Sequence, residues 1–251
     1  LPGYLISTKT WFMMTNTSFV LPSLSPTRKK QLMRHAKKLL IAQQQMTSMN
    51  GKSILHYTLK KNKRHKRMNH YPKGDRIDHQ TGSQYFYHCH REDMDSGEHG
   101  HFHCFMRYKQ IPAHIKPAPL ADWDKHIDNP MTHLIAIAMN NLGQPIRMFS
   151  VNRWVTSEIW YDAKQTPKLT KRFKMTLTDD PYWMILDQWI ESMVHLFAPQ
   201  IAWVYNQRDI TIKSHQQQNP DESVYDNLDI EELSSIDIDL TKQIQWIINT
   251  P

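Results

Sequence analysis

Five histidines fall within sixteen residues, as His88-Cys89-His90 and His99-Gly100-His101-Phe102-His103. Neutral imidazole offers a ring nitrogen that suits Zn, Fe, Ni or Cu. Alternate residues of an extended strand point to one side, so His88 and His90 share a face, as do His99, His101 and His103. Arg91 to Glu98 joins the two runs, and Asp93-Met94-Asp95-Ser96-Gly97 reads as a turn, so the spacing predicts a β-hairpin. Pairing of His88 with His103 and of His90 with His101 would set four imidazoles in a square. Cross-strand neighbours would lie about 5 Å apart and same-strand alternates about 7 Å apart. The expected cofactor is then one divalent transition metal (Fe, Mn, Zn, Ni or Cu), held by ligands drawn from His88, His90, His99, His101 and His103. Glu92 or Glu98 could add the oxygen that makes an Fe or Mn site. The competing expectation is ordinary polar histidines bonded to water or carboxylates, because a one-residue slip of register sends one run to the other face.

A second polar group follows in Asn152, Arg153, Thr156 and Glu158. Arg153 could bind an anionic group of a substrate and Glu158 could act as a base or a carboxylate ligand, which makes these two the candidate catalytic residues. The alternative is an Arg-Glu structural pair beside stacked tryptophans. Asp122, Asp124, His126 and Asp128 also alternate, but in a proline-flanked loop, and read as solvent-facing. Cys89 and Cys104 fall on the face opposite the histidines. A small shift of register would bring them across from one another, but free thiols in a reducing cytoplasm are the expectation.

The elements that must position these groups are legible in outline. Ser25-Pro26 caps and opens a helix over 26–47, in which Leu32, Ala36, Leu39, Leu40 and Met46 recur at helical spacing. Ser53 to Leu59 has strand-like composition, and His70 to Asp75 carries Pro and Gly in turn positions. Gln110 to Pro130 is irregular. A second hairpin pairs His133–Met139 with Ile146–Val151 across Asn141-Leu142-Gly143-Gln144. Trp183, Leu186, Trp189, Ile190, Met193 and Phe197 mark an amphipathic helix, and Pro199 opens another, so that helices span 181 to 214. The predicted fold is α+β: an antiparallel sheet from the two hairpins, with 53–59 as a further strand, covered by helices. A cupin-like β-barrel with added helices is the alternative. Three parts are expected: a basic arm and helix (1–50), a His-rich core (51–215) and an acidic tail (216–251) whose Ile244–Ile248 is apolar enough to dock.

Charge is unevenly spread. Residues 1–74 carry fifteen Lys and Arg and no acid, whereas 75–251 carry sixteen bases against twenty-four acids. Basic residues between 28 and 67 could meet nucleic-acid phosphate, although pairing with the acidic 221–239 segment or plain solvation is the stronger expectation. No run of about 18 apolar residues exists, which argues against a membrane helix. A small molecule is the expected partner of the histidines, acted on by a metal-dependent oxidoreductase or hydrolase. A metal-binding or regulatory protein without turnover is the other class.

Four blocks carry a resemblance: His70-Tyr71-Pro72-Lys73-Gly74-Asp75, Gln84 to Arg91, Glu98 to His103, and Asn152 to Glu158. Their order, over roughly residues 50 to 248, resembles an uncharacterised proteobacterial domain-of-unknown-function family. That resemblance implies a bacterial, cytoplasmic protein and brings no activity with it. Two other patterns match in part. Gly82, His88 and His90 are similar to the opening of the cupin metal motif, with Asp95 near the place of its glutamate and its closing glycine absent. His101-Phe102-His103 looks like the paired histidines of single-strand nicking nucleases, and Tyr161 with Lys164 has the spacing of their nucleophilic tyrosine and its lysine.

Overall fold

A computed structural model describes residues 18–50, 53–59, 66–89, 97–120 and 130–250. Six strands form one antiparallel sheet in chain order: β1 (Tyr71–Ile77), β2 (Ser83–Cys89), β3 (Gly100–Arg107), β4 (Met131–Met139), β5 (Pro145–Val151) and β6 (Glu232–Asp237). Each strand pairs with its sequence neighbours, and β1 and β6 are the two edges. The sheet is therefore open, which corrects the barrel alternative. Both expected hairpins are present, as β2–β3 and β4–β5. The second turns at Gly143, whose φ of +76° suits glycine.

Seven α-helices accompany the sheet among the described residues: α1 (Pro26–Asn50), α2 (Ile54–Leu59), α3 (Arg153–Thr156), α4 (Thr166–Thr170), α5 (Pro181–Leu196), α6 (Ala198–Gln218) and α7 (Leu240–Asn249). Local chemistry starts several of them. Asp180 accepts from the backbone N–H of Tyr182 with Pro181 following, and Asp239 accepts from that of Lys242.

The segments 54–59 and 71–77, among others, differ from their sequence reading. Residues 54–59 are helical, not a strand, because Ser53 Oγ accepts from the N–H of His56 and Ser53 O from that of Tyr57. That cap outweighs the β-like composition. Residues 71–77 form edge strand β1 rather than a turn. Pro72 is tolerated at a sheet edge, and an irregularity between Tyr71 and Arg76 absorbs the positive φ of Gly74 and Asp75.

The sheet has two unlike faces. On one, Tyr85, Tyr87, Cys89, Phe102, Cys104, Ile135, Ile137 and Met148 enter a continuous apolar core with Leu32 and Leu39 of α1, Leu186 and Trp189 of α5, Val204 of α6 and Ile247 of α7. Arg76 ties β1 to this layer through buried bonds to Asp187 at 2.8–3.1 Å and to Asp179 at 2.7–2.8 Å. Tyr85 Oη also donates to Asp187 at 2.8 Å. The second face carries the apolar groups Phe86, Phe105 and Met131, and Ala136, Ala138, Phe149 and Val151. No helix of the described residues is long and apolar enough to cross a membrane.

Candidate metal centre

β2 and β3 pair in a register two residues from the expected one: His88 lies opposite His101, and His103 lies opposite Phe86. The residues joining the strands, 90–99, are too many for the tight turn that would have fixed the other register. A two-residue shift preserves facing, so His88, His101 and His103 still share one side. Cys89 and Cys104 fall on the helix-covered side, opposite Gly100 and Tyr85 respectively, as buried free thiols.

Close approach of the strands at this point depends on Gly100. A Cβ there would lie 2.2 Å from the carbonyl oxygen of His88. β4 makes room from the other side, with Ala138 opposite His101 and Ala136 opposite His103. The imidazoles stand over these two small side chains.

The geometry of the three rings is compact. Ring centres lie 4.5 Å (His88–His101), 5.0 Å (His88–His103) and 4.6 Å (His101–His103) apart, with planes at 71°, 76° and 86°. One nitrogen of each lies within 4.8 Å of the others, and all three residues are buried. A metal about 2.1 Å from a ring nitrogen sits about 3.2 Å from the ring centre, so rings bound at right to tetrahedral angles have centres about 4.5–5.2 Å apart. The observed spacings fall in that interval. His88 and His101 share a hydrogen bond between their Nε2 atoms at 2.7 Å. Two nitrogens on one metal stand about 3.0–3.4 Å apart, so the pair has to open by a few tenths of an ångström. The three side chains could hold a metal ion.

Around the triad, His101 Nδ1 meets Glu98 Oε1 at 3.0 Å, and Arg147 donates to Glu98 Oε2 at 3.0 Å. Arg147 also bonds Glu232 and lies 4.4 Å over the ring of Phe149. Burial pushes the Glu98 carboxyl up, but hydrogen bonds from His101 and Arg147 outweigh it and hold it below the ordinary carboxylate range. His103 Nδ1 meets His133 Nε2 at 3.0 Å. Burial, reinforced by His101 and Arg208, pushes His133 down to about 3, so it is neutral near pH 7.

His133 reaches this face through a bulge. Cys104 pairs with Ile135 but Phe105 pairs with His133, which leaves Leu134 as an extra residue and reverses the alternation of β4. Sequence reading placed His133 in a strand without giving it a role. A histidine at the start of an otherwise apolar run was the available signal.

Other expected site residues lie elsewhere. His99 precedes β3 and turns to the opposite face, where its Nδ1 meets Tyr87 Oη at 2.7 Å. His90, Glu92, Asp95 and the 122–128 cluster fall outside the described residues. Arg153 is buried, donates to Asp226 at 2.8 Å and lies 5.4 Å from the ring centre of Tyr225. Glu158 fills a gap in the sheet. Beyond Ala136 no β5 partner covers β4, and there Glu158 Oε2 accepts from the backbone N–H of His133 at 2.7 Å and from Thr132 Oγ1 at 3.0 Å. Burial pushes this carboxyl up to about 7, against the pull of Arg208 and those hydrogen bonds. Tyr161 is fully buried in the main core, its phenol raised by burial, and so is not presented to a DNA strand. Lys30, Arg34, Lys37 and Lys38 are exposed along α1.

A family model for a domain of unknown function, DUF6969, matches residues 33–238. The chain belongs to that family. Neither a curated protein nor a solved structure matches it. The matched span of this DUF6969 protein takes in all six strands and the three clustered histidines.

Proposed function

We propose that this DUF6969 protein binds one divalent transition metal through His88, His101 and His103 and uses it on a small molecule, as a metal-dependent oxidoreductase or hydrolase. The observation that carries the reading is the set of three mutually steep, buried rings at metal-compatible spacing. Ligands that rise from one face of a sheet occupy one side of an ion. The other side is left for water or substrate, the arrangement of catalytic sites with three protein ligands. An all-imidazole set favours Zn, Cu, Fe or Ni over Mn. Bound there, the metal would act as a Lewis acid or redox centre. The chain's own part is to fix three nitrogens in a dry setting of Phe86, Phe105 and Phe149.

The second reading, a closed site without turnover, also has an observation in its favour: the His133 ring at 3.0 Å from His103 could supply a fourth ligand. Metal analysis of protein purified without a His tag tests the first claim, with about one equivalent expected and none in His88→Ala/His101→Ala. Equal, negligible metal in both would sink it. Azide added to the cobalt-loaded protein separates the readings. A changed visible spectrum indicates an open position, and an unchanged one favours the closed site.

A further inference from the structure

We infer that Glu98, fixed by Arg147, is the positioning residue of the histidine cluster: it accepts a hydrogen bond from the Nδ1–H of His101, keeps the proton on that nitrogen and so leaves Nε2 as the metal-binding nitrogen. The inference rests on the metal reading above and assigns Glu98 a role other than the oxygen ligand its sequence position suggests. A carboxylate can only accept, so at 3.0 Å the Nδ1 of His101 must be the donor. A ring whose one N–H sits on Nδ1 carries its lone pair on Nε2, the atom turned toward His88 at 2.7 Å. In the absence of metal, His88 Nε2–H donates to it; with metal, the same lone pair is the ligand. A carboxylate behind a ligating histidine orients the ring and raises its basicity, and its loss costs 10- to 100-fold in metal affinity.

Glu98 is itself held. Arg147 grips its second oxygen at 3.0 Å, and Arg147 is anchored on β6 through Glu232 and on β5 against Phe149. The chain from β6 to the metal site thus runs Glu232, Arg147, Glu98, His101.

The experiment measures zinc affinity of the full chain by competition with a chromophoric chelator, for the wild type, Glu98→Ala and Glu98→Gln. Long-range proton–nitrogen NMR of the histidine rings in the metal-free proteins runs in parallel. Glu98→Ala is expected to bind zinc 10- to 100-fold more weakly and to lose the Nδ1–H tautomer of His101. Glu98→Gln, whose amide oxygen still accepts, should keep the tautomer and lose less affinity. Unchanged affinity and tautomer in Glu98→Ala would overturn the inference. Wild type that binds no zinc would instead refute the metal reading, and the tautomer spectra would still decide what Glu98 does to His101.

Discussion

The two faces of the central hairpin are built from alternate residues of the same strands and have opposite chemistry. One face sends Tyr85, Tyr87, Phe102 and Cys104 into a core closed by α1, α5 and α6. The other, also buried though less completely, sends up Phe86, His88, His101, His103 and Phe105. Burying an imidazole without strong compensation is unfavourable, whereas burying an aromatic ring stabilises the fold by a few kcal/mol. The helix face is explained by folding alone; the histidine face is not. Its clustered imidazoles could hold a metal ion.

The largest effect expected on this contrast is on the helix face. Phe102 is fully buried against Tyr85, Tyr87 and Trp189. Phe102→Ala should cost about 3–5 kcal/mol of unfolding free energy, read from denaturant melts. A loss below about 1 kcal/mol would mean that the sheet is not held from that side.

Next comes Glu158, bonded to Thr132 and His133 at the start of β4, where β5 no longer pairs with it. Its carboxyl stands at about 7 in the folded protein against 4.5 unfolded. Between those values the native state binds the extra proton, so its contribution is fully present below about 4.5 and is lost as pH rises through about 7. The difference in stability between wild type and Glu158→Gln should therefore move against the wild type from pH 5 to 8, by on the order of 2–3 kcal/mol. Taking the difference removes His133, whose lowered value gives the opposite slope. A difference that stays flat over this range would show that Glu158 is ordinarily ionised.

The smallest effect should come from the histidines without metal. His88→Leu/His101→Leu removes both partners of one buried hydrogen bond at once and leaves Glu98, still held by Arg147, one donor short, so metal-free stability should change by only about 1–2 kcal/mol. The metal-dependent gain should vanish; for the wild type it is about 2.7 kcal/mol at a free metal concentration one hundred times Kd. Thermal melts with and without zinc read both quantities. A metal-free loss as large as that of Phe102→Ala would erase the distinction between the faces.

The sequence made this hairpin legible because a period of two survives an even shift of register: His88, His101 and His103 stay together under the observed two-residue shift. Register itself was not legible, since the joining segment is too long for its turn chemistry to fix it. His99 escaped the alternation because it precedes the strand and Tyr87 offers its ring a hydroxyl. Helix α2 was hidden by β-branched and aromatic composition, and the Ser53 cap that decides it is a single side chain. Strand β6, read as part of an acidic tail, depends on a partner more than eighty residues away: Ser234 pairs with Ser150, and their hydroxyls bond at 2.6 Å. The expected amphipathic helix at 181 and the second hairpin rest on local periodicity and are present.

Leu134, the unmatched residue of β4, acts like an inserted letter in a two-letter code. Upstream of it the strand is read in one frame and downstream in the other. For that reason His133 and Ala136 can both face the histidines while Ile135 and Ile137 face the helices. If the bulge were lost and Leu134 took a place in the ladder, the strand would be read in a single frame and His133 would swing toward the apolar side, although no ligand had been mutated. The chemistry available above the sheet is thus set by the bulge in β4 as much as by the strand's composition.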